Sequence, residues 1–292
     1  MTEHRFGGDW TRDKLDRFGN YLAPFTTALK NTGFELIYMD AFAGSGEITL
    51  ASDAAEQDIE LFQDEVSAGD DLTEGSVVRA LRTDPPFARY YFIEKDRHRA
   101  SALQRIVQSY PHLSTTILIE DANVAIPRLC EEINWRTSRA VLFLDPYGMQ
   151  MNWSTIEAVA KTGKIDTWLL LPYASAINRM LRRDGKLPES WEAKLNTFFG
   201  TDEWKNRCYR SSPQFELDFV DESPEVQKMW NLEDILSFCI VRLDSVFEYV
   251  YPEPKVLRTK DGHELFALCF ACGNKAGARV AKKIVDHIMR MG

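Results

Sequence analysis

Five short apolar runs, separated by segments with helical spacing, constrain the fold of this chain more than any other feature. The runs are FELIYMD, ARYYFIEKD, STTILIED, RAVLFLDPYG and IDTWLLLPY, which begin at residues 34, 88, 114, 139 and 165. Runs of this length and composition are typical of buried strands. Strands that alternate with helices predict a parallel sheet with helices on both faces.

The C-terminal part departs from this alternation. It contains two β-rich runs, SVFEYVYPEPKVLRT and HELFALCFACGN, which are separated by a polar KDG turn and followed by the helical segment KAGARVAKKIVDHIM. Strands joined by so short a turn pair in antiparallel fashion. We therefore expect an α/β protein with a mostly parallel sheet and an antiparallel C-terminal edge strand.

The net charge of −9 is concentrated in one segment. Residues 49–74 hold nine acids and no Lys or Arg, so the basic and acidic residues of the rest of the chain balance. Such a segment is typical of a solvated insertion. A gating lid and a docking strip for a partner are the alternatives. Because the acidity is local, it does not exclude a polyanionic partner elsewhere on the protein.

Location and cysteine usage narrow the protein class. No run approaches the roughly 18–20 apolar residues of a membrane span, and the N-terminus lacks a basic-then-apolar signal. We therefore expect a cytoplasmic protein with no membrane partner. The five cysteines lie in apolar segments, which predicts reduced thiols. Cys269 and Cys272 have CxxC spacing without a second pair, so buried strand cysteines are favoured over a metal site.

An acid ends or follows each of the first four predicted strands. These acids are Asp40, Glu94, Asp121 and Asp145. In doubly wound sheets, ligands bind beyond the carboxyl ends of the strands, near the point where the strand order reverses. A single acid in such a position is often a helix N-cap. Four acids on one rim predict a binding site.

A glycine-containing turn, YMDAFAGSGE at residues 38–47, surrounds the first of these acids. Gly44 and Gly46 lack a Cβ, so the backbone can turn sharply and lie close to a ligand. The dinucleotide fingerprint needs a third glycine at position 49, which is Thr. The pattern D-x-F-x-G-x-G resembles the turn of Rossmann-like S-adenosylmethionine methyltransferases. This resemblance implies cofactor-binding roles for Asp40, Phe42, Gly44 and Gly46.

Two further acids fit the same cofactor. Glu94 lies 48 residues past Gly46, or 22 when the 26-residue acidic insertion is left out, close to the roughly 20 expected for a ribose-binding acid. A carboxylate can accept hydrogen bonds from both ribose hydroxyls. Asp121, at the next strand end, would accept one from the adenine amino group. Capping acids on a rim without a cofactor are the alternative.

The fourth acid opens the DPYG motif. This motif resembles the [DNS]-P-P-[YFW] signature of amino-group methyltransferases, which implies catalytic roles for Asp145, Pro146 and Tyr147 and places Asp145 beside the cofactor. One proline is missing, so Gly148 stands where the signature has its aromatic residue. Transfer from a sulfonium mainly needs in-line positioning of the nucleophile. We expect Asp145 to orient the acceptor and Pro146 to stiffen the turn; a wall of the cofactor pocket is the alternative.

A closer resemblance is carried by six motifs in a fixed order. They are DAFAGSG, EGSVVRAL, FIEKD, VLFLDPYG, FFGTDEW and LFALCFACGNKAGARVAKKI. From about Trp10 almost to its end, the chain resembles the three-Cys-motif partner proteins. The resemblance implies a Rossmann-like class I methyltransferase sheet, S-adenosylmethionine as cofactor, and a radical-type protein with a three-cysteine motif as partner. The name refers to that partner's cysteines, so no metal site is implied in this chain.

The segment at residues 178–210 predicts the substrate class. It holds eight basic residues, five acids and five interleaved aromatic residues. Basic groups can neutralise phosphates while rings stack on bases, which favours a nucleic-acid surface. A helical subdomain with buried aromatics and solvated charges is the alternative. We expect a methyltransferase core at 1–177, a helical insertion for substrate recognition at 178–230, and completion of the core sheet at 231–292.

The leading hypothesis is an S-adenosylmethionine-dependent methyltransferase that acts on a base nitrogen of RNA or DNA. A methyltransferase for a protein or small molecule is the first alternative. A noncatalytic partner subunit of the radical-type protein is the second.

Overall fold

An eight-stranded sheet lies at the centre of the computed structural model, which describes residues 8–46, 75–211 and 226–291. The strands are β1 Glu35–Asp40, β2 Arg89–Ile93, β3 Thr115–Leu118, β4 Ser138–Leu144, β5 Ile165–Leu171, β6 Tyr209–Ser211, β7 Val226–Lys228, β8 Tyr249–Val250, β9 Lys255–Arg258 and β10 Glu264–Cys272. β6 and β7 form a separate two-stranded sheet. The acidic insertion at 49–74 lies outside the described residues.

Ten α-helical segments are described around the sheet. They are α1 Gly8–Leu29, α2 Ser76–Leu81, α3 Arg97–Gln108, α4 Ala122–Glu132, α5 Trp153–Thr162, α6 Asn178–Met180, α7 Glu189–Phe199, α8 Glu203–Cys208, α9 Leu232–Asp244 and α10 Ala278–Met289, and a π-helical turn at Tyr173–Ile177 precedes α6. Helices α1, α2, α3 and α10 pack on one face of the sheet. Helices α4, α5, α7, α8 and α9 pack on the other. The sheet is thus covered on both faces, as its continuous apolar strands require.

The strand order is β3-β2-β1-β4-β5-β10-β8, and β1 to β5 are parallel to one another. The chain runs outward from β1 to β3 and then returns to the other side of β1 with β4. This reversal creates a switch point between β1 and β4. The predicted α/β class is confirmed, and the order is the one expected of a Rossmann-like class I methyltransferase sheet.

The C-terminal hairpin is confirmed as a pair of antiparallel strands, β9 and β10. β10 also pairs antiparallel with β5, while the two-residue strand β8 pairs with the other end of β10. The antiparallel strand is therefore next to the edge and not at the edge itself. The apolar run that precedes the hairpin does not reveal this division, because it supplies both β8 and β9.

The CxxC pair is divided between two cores. Cys269 packs on one face of the sheet and Cys272 on the other, because residues three apart in a strand point in opposite directions. All five cysteines are free thiols. Among the described residues, no group of three or more His, Cys, Asp or Glu side chains could hold a metal. None of the described helices is long and apolar enough to cross a membrane.

The insertion after β5 packs on the sheet through its aromatic residues. Phe198, Phe199 and Trp204 are buried in the same core as α4, α5 and α9. For these three rings the structure agrees with the alternative, a helical subdomain with buried aromatics, and not with stacking on bases. Trp191 and Tyr209 are only partly buried. Aromatic residues at helical spacing fill the core here because each ring buries a large apolar area.

Candidate functional site

The four acids predicted at strand ends lie in a row on one edge of the sheet. Asp40 is the last residue of β1, and its partners in β2 and β4 precede Glu94 and Asp145 by two positions. Asp121 follows β3, which pairs with the other side of β2. The order β3-β2-β1-β4 therefore arranges the four carboxylates across the switch point, where ligands of such sheets bind.

Asp40 is fully buried and is held by three hydrogen bonds. Tyr38 Oη and Ser76 Oγ donate to Oδ2 at 3.1 and 2.6 Å, and the Phe42 N–H donates to Oδ1 at 3.3 Å. Burial raises the pKa of Asp40 to about 6, and the negative charge of Asp145 acts in the same direction, against the hydrogen bonds. Asp40 thus links the turn and the start of α2 through its carboxylate, which changes its charge near pH of about 6.

The two glycines of the turn have different surroundings. Both have positive φ, +61° at Gly44 and +78° at Gly46. A Cβ at Gly46 would lie 2.7 Å from Ile106 and 3.2 Å from Leu103, so this position is explained by packing against α3. A Cβ at Gly44 would meet no atom of the described residues within 4 Å. Gly44 is therefore the position of the turn that a ligand can approach.

Glu94 and Asp121 each use one carboxylate oxygen to hold the following helix. Glu94 is 7% exposed, and its Oε1 accepts from the Asp96 N–H at 2.8 Å. Asp121 caps α4 through Oδ1, which accepts from the Asn123 N–H at 2.8 Å. The second oxygen of each carboxylate has no hydrogen-bond partner among the described residues. Both acids therefore combine a capping role with a remaining acceptor.

Two exposed aliphatic side chains flank Asp121. Ile119 lies two residues before it and is 55% exposed, and Val124 lies in the first turn of α4 and is 56% exposed. Aliphatic residues are usually buried at strand ends and helix starts of a packed core. Their exposure leaves apolar surface close to Asp121 in the sequence.

Asn123 joins the β3 end of the site to the segment that follows DPYG. Its Nδ2 donates to Asp121 Oδ1 at 3.1 Å and to the Gln150 carbonyl at 2.8 Å. Its Oδ1 accepts from the Asn152 N–H at 2.9 Å and from Thr155 Oγ1 at 3.0 Å. One amide therefore holds the starts of α4 and α5 together.

Asp145 is paired with a lysine from the first helix. Lys14 Nζ donates to Asp145 Oδ2 at 2.5 Å, with the lysine side chain 6% exposed and the aspartate side chain 25% exposed. The same ammonium lies 5.4 Å from the centre of the Trp10 ring, which stacks on Phe266 at 5.0 Å. A charge pair this well buried fixes the orientation of the carboxylate more firmly than an exposed pair.

The remaining predicted residues line the same region. Pro146 is buried, and Tyr147 is half-buried and packs against the core that contains α4 and α5, as does Phe42. Gly148 follows with a φ of +56°. Because Tyr147 packs on the core, the structure offers no support for a base-stacking role of its ring, whereas Asp145 remains accessible.

Sequence patterns do not single out three residues that build this site, namely Lys14, Ser76 and Asn123. Ser76 and Asn123 act through contacts between distant segments, which spacing does not reveal. Lys14 carries a usable signal. It lies four and seven residues before Phe18 and Tyr21, on the buried stripe of α1, and a cation on a buried stripe requires a partner.

No family model matches the chain, and no curated protein matches it. Among solved structures, it is similar to protein LPL1258 from Legionella pneumophila, with 10% identity, coverage of 95% of this chain and 91% of that one, and a TM-score of 0.49. A methyltransferase from Clostridium acetobutylicum described as S-adenosylmethionine-dependent has 11% identity, coverage of 89% and 92%, and a TM-score of 0.40. Trm1 from Pyrococcus horikoshii, solved with S-adenosyl-L-methionine, has 12% identity, coverage of 94% and 71%, and a TM-score of 0.37. Likenesses this distant carry no argument about chemistry.

Proposed function

We propose that this protein is an S-adenosylmethionine-dependent methyltransferase that acts on a base nitrogen of a nucleic acid. The observation that carries the proposal is the row of carboxylates around the Gly44 turn, with Asp145 held by Lys14 at its end. The cofactor contains a cationic sulfonium, a ribose diol and an adenine. The row matches these parts in order. Asp40 has a negative charge for the sulfonium, Glu94 has an acceptor for the ribose diol, and Asp121 has an acceptor and an apolar flank for the adenine.

The cofactor roles divide along the row. Glu94 would accept from the ribose hydroxyls through Oε2, since its Oε1 is engaged by the backbone. Asp121 would accept from the adenine amino group through Oδ2, with Ile119 and Val124 covering the ring. Asp40 would not contact the cofactor directly, because its carboxylate oxygens accept hydrogen bonds from protein donors. Its charge would stabilise the cationic end of the cofactor beside Gly44.

The acceptor side depends on Asp145. Bound S-adenosylmethionine would supply the methyl group: its sulfur would leave as a neutral thioether as the acceptor nitrogen forms the new bond, and the methylated nitrogen would then release one proton to water. Asp145 would accept a hydrogen bond from the acceptor N–H, which directs the nitrogen lone pair at the methyl carbon and stabilises the positive charge that develops as the bond forms. Lys14 holds the carboxylate in that orientation. In-line positioning of this kind accounts for most of what such a reaction needs.

An amino group on a nucleic-acid base fits this acceptor site best. Such a group has an N–H for Asp145 and a flat ring that needs an aromatic surface. Gly148 cannot provide that surface, and Trp10 lies next to the Lys14 ammonium on the Asp145 side. Exposed cations at 178–210 would neutralise the phosphates on either side of the target.

Transfer of a labelled methyl group from S-adenosylmethionine to total RNA, DNA and protein pools tests the proposal. We expect label in a nucleic-acid pool, with none for Asp145→Ala and full transfer for Asp261→Ala, a matched change in the exposed turn before β10. Cofactor binding by calorimetry should be equal in all three proteins. Label confined to protein would refute the nucleic-acid assignment.

The resemblance to the three-Cys-motif partner proteins supports a second role as a subunit beside a radical-type protein. Both roles are compatible with the fold, but they predict different results in the methyl-transfer assay. A noncatalytic subunit would bind cofactor and transfer no methyl group to any pool. Intact transfer by the isolated protein would show that the partner is not needed for the reaction.

A further inference from the structure

A basic groove lies beyond the carboxyl end of β5, outside the row of carboxylates. It has a volume of about 690 Å³ and is lined by the start of the insertion, by β7 and by the first residues of α9. This volume is within the range of ligand pockets, about 300–1,000 Å³. The π-helical turn at Tyr173–Ile177 joins β5 directly to Asn178 at the groove, so the groove extends the same rim on which the acids lie.

The lining of the groove carries a concentration of positive charge. Arg179, Arg182, Arg183 and Lys228 line it, and none of its described lining residues is acidic. Arg182 forms an ion pair at 2.9 Å with Asp184, which lies outside the lining. Four cations around a groove whose described walls contain no carboxylate favour an anionic ligand.

The groove is held in shape by hydrogen bonds between its two walls. Lys228 Nζ donates to Asn178 Oδ1 at 2.7 Å, and the Lys228 N–H donates to the Arg183 carbonyl at 3.1 Å. Tyr209 Oη donates to the Arg182 carbonyl at 2.9 Å. Burial lowers the pKa of Lys228, and the nearby charge of Arg183 acts in the same direction. The walls therefore hold the cations together against their mutual repulsion, which a bound anion would relieve.

An aromatic ring completes the groove. Trp230 is half-buried and lines the groove, with its ring 4.9 Å from the Phe238 ring of α9. Asn231, the N-cap of α9, lies beside it with its side chain engaged in a capping box. A fixed indole next to several cations matches the pattern by which proteins bind single strands, in which rings stack on bases and cations follow the phosphates.

We propose that this groove binds a single-stranded segment of nucleic acid next to the methylated base, with Trp230 stacked on one base and Arg183 and Lys228 on adjacent phosphates. The inference rests on the proposed function, because it names where the substrate of that reaction is held outside the reaction centre. The groove lies largely within the insertion expected at 178–230, but its ring is Trp230 and none of the five aromatics of 178–210.

Fluorescence anisotropy with labelled RNA and DNA single strands of about eight nucleotides, without cofactor, tests the groove. We expect binding by the intact protein to weaken as salt rises. Removing one cation that neutralises a phosphate, as in Arg183→Gln, should make this salt dependence shallower by about 0.7 in log–log slope. Arg136→Gln is the matched control, because Arg136 is an exposed arginine before β4 on the opposite edge of the sheet. This control should bind as the intact protein does.

The stacking role is tested separately. Trp230→Ala should weaken binding by about 5- to 150-fold, the range for one stacked base, and Trp230→Phe should retain most of the affinity. If Trp230→Ala fails to fold, the salt slope of Arg183→Gln still decides whether the groove binds the strand. Equal affinity and equal salt slope for Arg183→Gln and Arg136→Gln would overturn the proposal, as would absence of binding by the intact protein.

Two further outcomes separate the groove from the reaction. Competition by inorganic phosphate at the concentrations at which oligonucleotide competes would mark a simple anion site and overturn the nucleic-acid assignment. If the protein methylates nucleic acid but Arg183→Gln has the salt slope of the intact protein, the groove proposal is refuted and the proposed function stands. If binding depends on the groove but no methyl group is transferred, the proposed function is refuted and the groove remains a nucleic-acid binding site.

Discussion

At the scale of single residues, the site depends on charges that the protein has buried and then satisfied. Lys14 is buried and pairs with the partly exposed Asp145, while Asp40 is buried and accepts hydrogen bonds from Tyr38 and Ser76. Buried charges are costly unless they are paired or hydrogen-bonded. Their presence at the switch point therefore marks the place where this chain retains polar groups at some cost to stability.

Loss of the Lys14 ammonium should impair the reaction more than cofactor binding. We expect Lys14→Met to lower the rate of methyl transfer by about 10- to 100-fold, because Asp145 is no longer held in one orientation. Lys14→Arg should restore part of the rate. The measurement is kcat and KM for transfer together with calorimetric affinity for S-adenosylmethionine. A rise in KM alone would contradict the positioning role.

Asp40 predicts a pH dependence of cofactor binding. Its pKa is raised to about 6, so it gains a proton as the pH falls from about 7 to about 5. The sulfonium of S-adenosylmethionine favours the ionised carboxylate, so the affinity should fall over this range, by about tenfold for each unit by which binding lowers the pKa. S-Adenosylhomocysteine, whose sulfur is neutral, should show a weaker dependence in calorimetry.

The variant Asp40→Asn provides the control for this titration. Its side-chain oxygen can still accept from Tyr38 and Ser76, so the turn keeps its acceptor. We expect the affinity of this variant for S-adenosylmethionine to be lower at neutral pH and flat across the range. A profile that still falls below pH of about 6 would assign the titration to another group.

At the scale of elements, α1 connects the site to the remainder of the fold. Besides Lys14, its Tyr21 Oη donates to the buried Asp166 at 2.6 Å, and its Arg17 guanidinium donates to the carbonyls of Ile288 and Met291, both at 2.5 Å. These carbonyls lie at the end of α10, where a helix leaves its last carbonyls without partners. Arg17 thus acts as a C-cap supplied by another helix.

Removal of this cap should destabilise the whole protein. We expect Arg17→Met to lower the free energy of unfolding by about 2–4 kcal/mol, since several charged hydrogen bonds disappear from a buried position. Arg279→Met changes an exposed arginine in the first turn of α10 and should stay within about 0.5 kcal/mol. Urea denaturation measures both. Equal stability of the two variants would show that the cap contributes little.

Elements were predictable where burial alone decides them. The first five strands followed from continuous apolar runs, because a strand covered on both faces has no polar side. The division between β8 and β9 was not predictable, since pairing with opposite ends of β10 depends on a strand that comes later in the chain. The groove was likewise hidden, because α7, α8 and β6 separate Arg183 from β7 and Trp230 in the sequence.

At the scale of the whole molecule, two cores on either side of one sheet account for the cysteines. Cys208, Cys239, Cys269 and Cys272 are buried, and Cys130 is half-buried. Burial raises the pKa of Cys239 and Cys130 to about 12 and that of Cys208 to about 11. Thiolates are the reactive form, so these groups should be inert while the protein is folded.

Thiol labelling checks this expectation. With an aromatic disulfide reagent at about pH 8, the native protein should react slowly and at Cys130 first, whereas all five cysteines should react in denaturant. Cys130→Ser should remove the first reacting thiol. Prompt labelling of two thiols in the native protein, or their protection by added zinc, would contradict the division of Cys269 and Cys272 between two cores.

The sequence predicted the position of the candidate site, because that position depends on where the parallel strands end. Asp40, Glu94, Asp121 and Asp145 could be placed on one rim from the sequence, because parallel strands end on the same edge. Their individual geometry could not. That Asp40 is enclosed by donors and that Lys14 reaches Asp145 are properties of helix packing between segments far apart in the chain.

The Arg17 cap also connects the candidate site to a distant part of the chain. Lys14 and Arg17 lie on the same helix, so the carbonyls of residues 288–291 that accept from Arg17 help to keep Lys14 beside Asp145. A variant without residues 288–291 would keep every acid of the rim and lose this tie. Its α1 would be held less firmly, and with it the lysine that orients Asp145.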